Sequence, residues 1–172
     1  MIPDPSQQTD HVPAEFADVI ERFDHLALAV SDIGAVLPLF DLLGGTYRNG
    51  GHHPTQRFRW AQFDLPSGPK IELLEPLDPD DATHFLVRFL ASRGEGPHHV
   101  TFKVTDLRKA MAAARDLDYE VVGEDLSSPH WKEAFVHPRS SHGLLIQLAE
   151  WDDSVPPRQR PLDAVLDDPE PA

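Results

Sequence analysis

The sequence predicts an α+β fold in which two tandem βαβββ modules form a cup-shaped mixed sheet with helices outside. The first observation behind this is a repeat. Residues 24–33, DHLALAVSDI, and residues 98–107, HHVTFKVTDL, write one strand and turn twice, with His25/His99, Val30/Val104 and Asp32/Asp106 at an offset of 74. The second is that Lys70-Ile71-Glu72-Leu73-Leu74 matches Leu145-Ile146-Gln147-Leu148-Ala149 at an offset of 75. A repeat this long in 172 residues means two similar modules, not a solenoid.

Each element follows in order. Residues 23–30 alternate as a strand, with Leu26, Leu28 and Val30 on one face and His25, Ala27 and Ala29 on the other. Residues 33–43 read as an amphipathic helix made irregular by Pro38 and stopped by Gly44-Gly45. Strands at 57–65 and 70–75 are joined at Pro66-Ser67-Gly68-Pro69, a turn signal. A linking helix over 82–92 carries a buried stripe of Phe85, Leu86, Phe89 and Leu90 and ends at Arg93-Gly94-Glu95-Gly96-Pro97. The pattern then recurs: strand 98–104, helix 106–117, and strands near 120–123, 133–137 and 144–149.

This order divides the chain into an acidic extension over 1–21, a body over 22–150 and an acidic, Pro-rich tail over 151–172. The body holds modules 22–78 and 97–150. Both tails are expected to drape over the surface or move. Sheets with helices on one face leave the other face open. If Leu26, Leu28, Ile71, Leu73, Val100, Phe102, Ile146 and Leu148 pack under the helices, then His25, Glu72, His99 and Gln147 face the cup. Four repeat-related side chains able to bind a metal would converge there.

Charge and composition exclude several classes. The net charge is −14, and residues 1–21 hold five acids and no base. Phosphate-backbone binding needs a basic surface, so nucleic acid is not an expected partner. No apolar run approaches the roughly 20 residues that span a bilayer, and MIPDPSQQTD lacks the order of a signal peptide. A cytoplasmic protein without a membrane partner is expected. The absence of cysteine removes disulfides, thiolate nucleophiles and zinc–thiolate sites.

Phe23-Asp24-His25, KIELLEPL (70–77), FLASRGEGPHHVTFKV (89–104) and AFVHPRSSHGLLIQL (134–148) resemble the vicinal-oxygen-chelate superfamily. That group includes glyoxalase I, methylmalonyl-CoA epimerase, extradiol dioxygenases and the fosfomycin- and bleomycin-resistance proteins. The likeness is strongest to the epimerases and covers about residues 22–150. It implies one divalent metal ion (Co, Ni, Mn, Fe or Zn) held at positions matching His25, Glu72, His99 and Gln147. The last ligand position is Glu in epimerases and Gln147 here; an amide can coordinate but cannot act as a base. The other glutamate tied to epimerase chemistry falls near Trp60, where no carboxylate stands.

The resemblance implies a metal-dependent isomerase or lyase working through an enolate on a small-molecule carbonyl compound, with an acyl-CoA thioester as substrate. Glu72 is the remaining carboxylate, ligand and candidate base, and His130 is a second candidate acid or base. A glyoxalase I-type lyase and a non-catalytic binding or resistance protein are the alternatives. A homodimer is the expected assembly. Gln62, Lys132, His137 and His142 are further polar candidates. His137-Pro138 reads as a turn and His98 as a packing or supporting neighbour of His99. His52-His53 reads as part of a solvated Gly-rich loop, and Asp78, Asp80 and Asp81 as a solvated turn.

Overall fold

A computed structural model describes residues 18–53, 55–66, 68–155 and 159–167. The architecture is α+β, with eight strands and four helices among the described residues. The chain divides into two compact units. One comprises Asp24–Val100 with the segment from Ser154 onward; the other comprises Thr101–Asp153 with the described residues up to Phe23. The division falls inside two strands, β1 (Ile20–Ala29) and β5 (Gly96–Val104), which run through both units.

In the unit built on Asp24–Val100, β1 leads into α1 (Ile33–Leu42), then β2 (Thr46–His52), β3 (Phe58–Asp64), β4 (Lys70–Pro76) and α2 (Phe85–Arg93). Its strands are hydrogen-bonded in the order β2-β3-β4-β1-β5. The sheet is mixed: β1 and β4 run parallel, with Ala27 opposite Glu72, whereas β3 is antiparallel to β2 and to β4. Asp32 starts α1 by accepting from the Ala35 backbone N–H at 3.2 Å. Pro38 lies inside α1. Val30, Ile33, Phe40, Ala61, Phe63 and Leu73 form the core beneath α1, with Leu28 and Ile71 against it. The opposite face carries Ala27, Ala29 and Leu74, and the linking helix α2 covers it through Leu86, Phe85 and Phe89. That covered patch lies beside His25 and Glu72, because residues two apart on a strand share a face.

One reading of the sequence needs correction in this unit. The Gly-rich stretch before His52-His53 is strand β2, not a loop. A Cβ on Gly50 would stand 2.6 Å from the Trp60 carbonyl oxygen and 3.2 Å from Val165 Cγ1. Glycine is there because β3 and the C-terminal helix crowd the strand, so turn chemistry was the wrong inference. His52 is accordingly half-buried, with Nε2 2.9 Å from the Val165 carbonyl oxygen. Residues 159–167 include a short helix, α4 (Leu162–Leu166), whose Val165 is fully buried. Tyr47 donates to the Arg160 carbonyl at 2.7 Å, fixing this segment near β2. The first seventeen residues of the N-terminal extension lie outside the described residues.

In the unit built on Thr101–Asp153, the second half of β5 is followed by α3 (Leu107–Asp116), β6 (Val121–Asp125), β7 (Lys132–Val136) and β8 (Ile146–Glu150), hydrogen-bonded in the order β5-β8-β7-β6. Asp106 caps α3 by accepting from the Lys109 N–H at 3.0 Å. Leu107, Ala110 and Met111 pack on Val104, Ala134, Val136 and Leu148, with Phe102 and Ile146 at the edge of the same core.

Candidate metal centre

Three of the predicted ligands meet within one unit. His25 on β1, Glu72 on β4 and His99 on β5 each offer a ligand atom, and those atoms all lie within 4.8 Å of one another. His25 and His99 are almost wholly buried, and their rings meet edge to face with centroids 5.9 Å apart. Strand register produces this meeting. Alternation aims His25 away from the α1 core, and the parallel β1/β4 pairing sets Glu72 beside it.

The surrounding groups fix these side chains. His25 Nδ1 is 2.7 Å from Asp24 Oδ2, and Lys70 Nζ is 2.6 Å from the same oxygen. Glu72 Oε2 lies 3.4 Å from His25 Nε2, while Gln62 donates to Glu72 Oε1 at 2.9 Å. His99 Nδ1 is 2.9 Å from His98 Nδ1. The electrostatics follow from burial and charge together. Burial disfavours a charged His25, but the Glu72 carboxylate and the Asp24 hydrogen bond outweigh it and lift its pKa to about 9. Burial would raise Glu72, yet the neighbouring imidazoles and Gln62 hold it below the ordinary carboxylate range. Burial pushes His98 down to about 4, so this ring stays neutral.

The donor set fits a divalent cation of the first transition row: two imidazoles and one carboxylate, gathered and supported by hydrogen bonds. Glu72 is the carboxylate of this set and gives it negative charge to set against a cation.

Gln147, His130, His137, Lys132 and His142 belong to the other unit. Gln147 is buried on β8 in the other unit, where its Oε1 accepts from Thr101 Oγ1 at 2.6 Å and its Nε2 donates to Glu133 Oε2 at 2.7 Å. His130 is exposed in the loop before β7, its backbone N–H bonded to Ser128 Oγ at 3.1 Å. His137 is a turn residue: Nδ1 accepts from the Arg139 N–H at 3.1 Å and its carbonyl accepts from Ser140. Lys132 pairs with Glu150 at 2.5 Å, and His142 is exposed with a positive φ of 57°. Asp81 closes its turn on Thr83, as the solvated reading requires. Glu133, which also accepts from Trp131 Nε1 at 2.9 Å, was not singled out in the sequence. Its strand alternates too briefly to mark it, and only its register opposite Ala149 sets it beside Gln147. Trp60 packs with Ala27, Ala29, Leu74 and Leu86, opposite Leu74 on the face that carries Glu72.

The chain is similar to known proteins in sequence and fold. Residues 24–135 match the sequence profile of the Glyoxalase/Bleomycin resistance protein/Dioxygenase superfamily. The chain belongs to this superfamily. It is 29% identical over 134 residues to the uncharacterized protein YqjC of Bacillus subtilis, covering 76% of this chain and 93% of that one. The crystal structure of methylmalonyl-CoA epimerase from Mycobacterium tuberculosis superposes with a TM-score of 0.70 at 25% identity, covering 84% of this chain and 95% of its own. A Streptomyces coelicolor methylmalonyl-CoA epimerase variant in complex with 2-nitronate-propionyl-CoA gives 0.65 at 28% identity, covering 77% and 98%. No helix among the described residues is long and apolar enough to cross a membrane.

Proposed function

We propose that this superfamily member is a metal-dependent isomerase or lyase that acts through an enolate on a carbonyl compound, with an acyl-CoA thioester as its substrate class. The observation that carries the reading is the convergence of His25, Glu72 and His99. The similarity to epimerases with acyl-CoA ligands supports the substrate class. His25, Glu72 and His99 would hold the cation, with Gln147 as the fourth ligand on the strength of its repeat position. A bound divalent cation supplies positive charge that polarises a carbonyl and stabilises an enolate.

The chain's own groups do the rest. Asp24 and His98 steady the two imidazoles, and Gln62 holds Glu72 Oε1. Glu72 is ligand and candidate base, and the exposed His130 is a candidate proton donor or acceptor. Protein loaded separately with Co²⁺, Ni²⁺, Mn²⁺, Fe²⁺ and Zn²⁺ should exchange the α-proton of methylmalonyl-CoA or another 2-substituted acyl-CoA for deuterium. Absence of metal-dependent exchange across the panel overturns the isomerase reading, and consumption of methylglyoxal with a thiol would replace it with a glyoxalase-type lyase.

The packing of Trp60 favours a second reading. Trp60 fills the β3 position near which epimerases carry a glutamate with an apolar contact, leaving no carboxylate at that position. A protein that binds a small molecule without turnover needs no such base. Saturable ligand binding without exchange would establish it.

A cytoplasmic homodimer completes the proposal. The cysteine-free composition suits a reducing compartment, and Leu39, Leu42 and Leu43 are exposed, Leu42 by 82%. A one-chain mass by light scattering at micromolar concentration removes the dimer.

A further inference from the structure

The ligand histidines repeat at an offset of 74, and so do the residues just before them, Asp24 and His98. Neighbours on an extended strand normally point to opposite faces. Here both preceding side chains nevertheless reach the ligand ring. Asp24 Oδ2 lies 2.7 Å from His25 Nδ1, and His98 Nδ1 lies 2.9 Å from His99 Nδ1. Each of the two is itself anchored: Asp24 by Lys70 at 2.6 Å, and His98 by Phe89 and Phe85, with ring centroids 4.9 and 5.7 Å away.

We propose that the residue preceding each histidine ligand sets that ligand's tautomer, Asp24 taking the Nδ1–H of His25 and His98 taking the Nδ1–H of His99, so that both imidazoles present Nε2 to the cation. The inference rests on the metal reading of His25, Glu72 and His99. Asp24 can only accept, which fixes the proton of His25 on Nδ1. Two imidazole Nδ1 atoms in hydrogen-bond contact share a single proton, so one donates and the other accepts. A His99 that coordinates through Nε2 carries its proton on Nδ1 and donates it. His98 must then be the acceptor, with its own proton on Nε2. One module thus uses a charged acceptor and the other a neutral one. Both are positioning residues, acting through the ligand rather than on a substrate.

The test uses the full chain and Zn²⁺, a diamagnetic probe. In the ¹⁵N-labelled, zinc-loaded protein, long-range ¹H–¹⁵N spectra should show Nδ1 of His25 and His99 protonated and Nδ1 of His98 unprotonated. A protonated His98 Nδ1 overturns the assignment without any variant being made. In competition with a chelating dye, H98F, which keeps an aromatic ring between Phe85 and Phe89, should bind Zn²⁺ about 10–100-fold more weakly, and D24N about tenfold. Parent-like affinity in H98F overturns the proposal for His99, and parent-like affinity in D24N overturns it for His25. If the parent protein does not bind Zn²⁺ or any other divalent cation, the metal reading itself fails. Should H98F not fold, the spectrum of the parent protein decides.

Discussion

Glu75 accepts the backbone N–H of Ile33 at 2.8 Å, and Glu150, at an offset of 75, accepts that of Leu107 at the same distance. In each module the last strand therefore anchors the first turn of the helix, where donors lack intrahelical partners. Each carboxylate also takes a cation from the neighbouring strand, Arg59 at 2.6 Å and Lys132 at 2.5 Å. The repeat extends beyond the strand pattern into the capping of helices.

The two anchors differ in burial, and their replacement should differ in cost. Glu75 and Arg59 are both largely shielded, so E75A leaves a buried cation unpaired and should cost about 3 kcal/mol. Glu150 and Lys132 are more accessible, and E150A should cost about 1 kcal/mol. Urea unfolding of the two variants measures the difference; equal losses would contradict this account.

Glu150 also gives a pH dependence. Burial raises its pKa, but the Leu107 N–H and Lys132 outweigh burial and hold it below the usual 4.5. A depressed folded-state pKa stabilises above the unfolded value, and that contribution is lost as pH falls through the folded one. E150Q should therefore show a flatter decline in stability below about pH 4.5 than the parent, read by thermal unfolding across a pH series.

Glu72 is the carboxylate of the His25–Glu72–His99 group and, in the proposed function, its anionic ligand. E72Q should weaken divalent-cation binding by at least about 100-fold, since it removes both charge neutralisation and a strong donor. Titration with Zn²⁺ or Co²⁺ against a competing chelator checks this. Unchanged affinity would mean that Glu72 does not anchor the cation.

Gln147 donates to Glu133 at 2.7 Å, so Q147E sets two carboxylates together in place of an amide–carboxylate bond. The single variant should lower the melting temperature, and the double variant Q147E/E133Q should recover most of it because the donor–acceptor pair is restored in reverse. Additive losses would dismiss the pairing.

Val165 is fully buried and belongs to a five-residue helix in a segment that reads as a tail draped over the surface or mobile. V165D should destabilise the protein by about 3 kcal/mol or more, as for any unpaired buried charge. A loss below about 0.5 kcal/mol, the scale of surface changes, would detach the segment from the fold.

Much of the site was legible because strand alternation and the repeat are local signals. His25, Glu72 and His99 share a face by period, and their pairing follows from the order of the strands. The partners that hold them were less visible. Asp24 precedes His25 and Lys70 lies 46 positions away, so only the register of β1 against β4 reveals their bond. Strand β2 was hidden because Gly50 and Gly51 have turn-like composition, whereas close approach of Trp60 and Val165 explains Gly50. Helix α4 escaped because five residues flanked by prolines carry too little periodicity to register.

Tryptophan placement gives the molecule a built-in pair of optical reporters. Trp60 sits in the apolar cluster of the unit that holds His25, Glu72 and His99, whereas Trp131 and Trp151 stack on each other in the other unit, with centroids 5.1 Å apart. Emission from a W131F/W151F variant would follow the first unit alone, and emission from W60F the second. Denaturation followed in both, with matched curves or separated ones, would tell whether the chain melts as one cooperative body or in two stages.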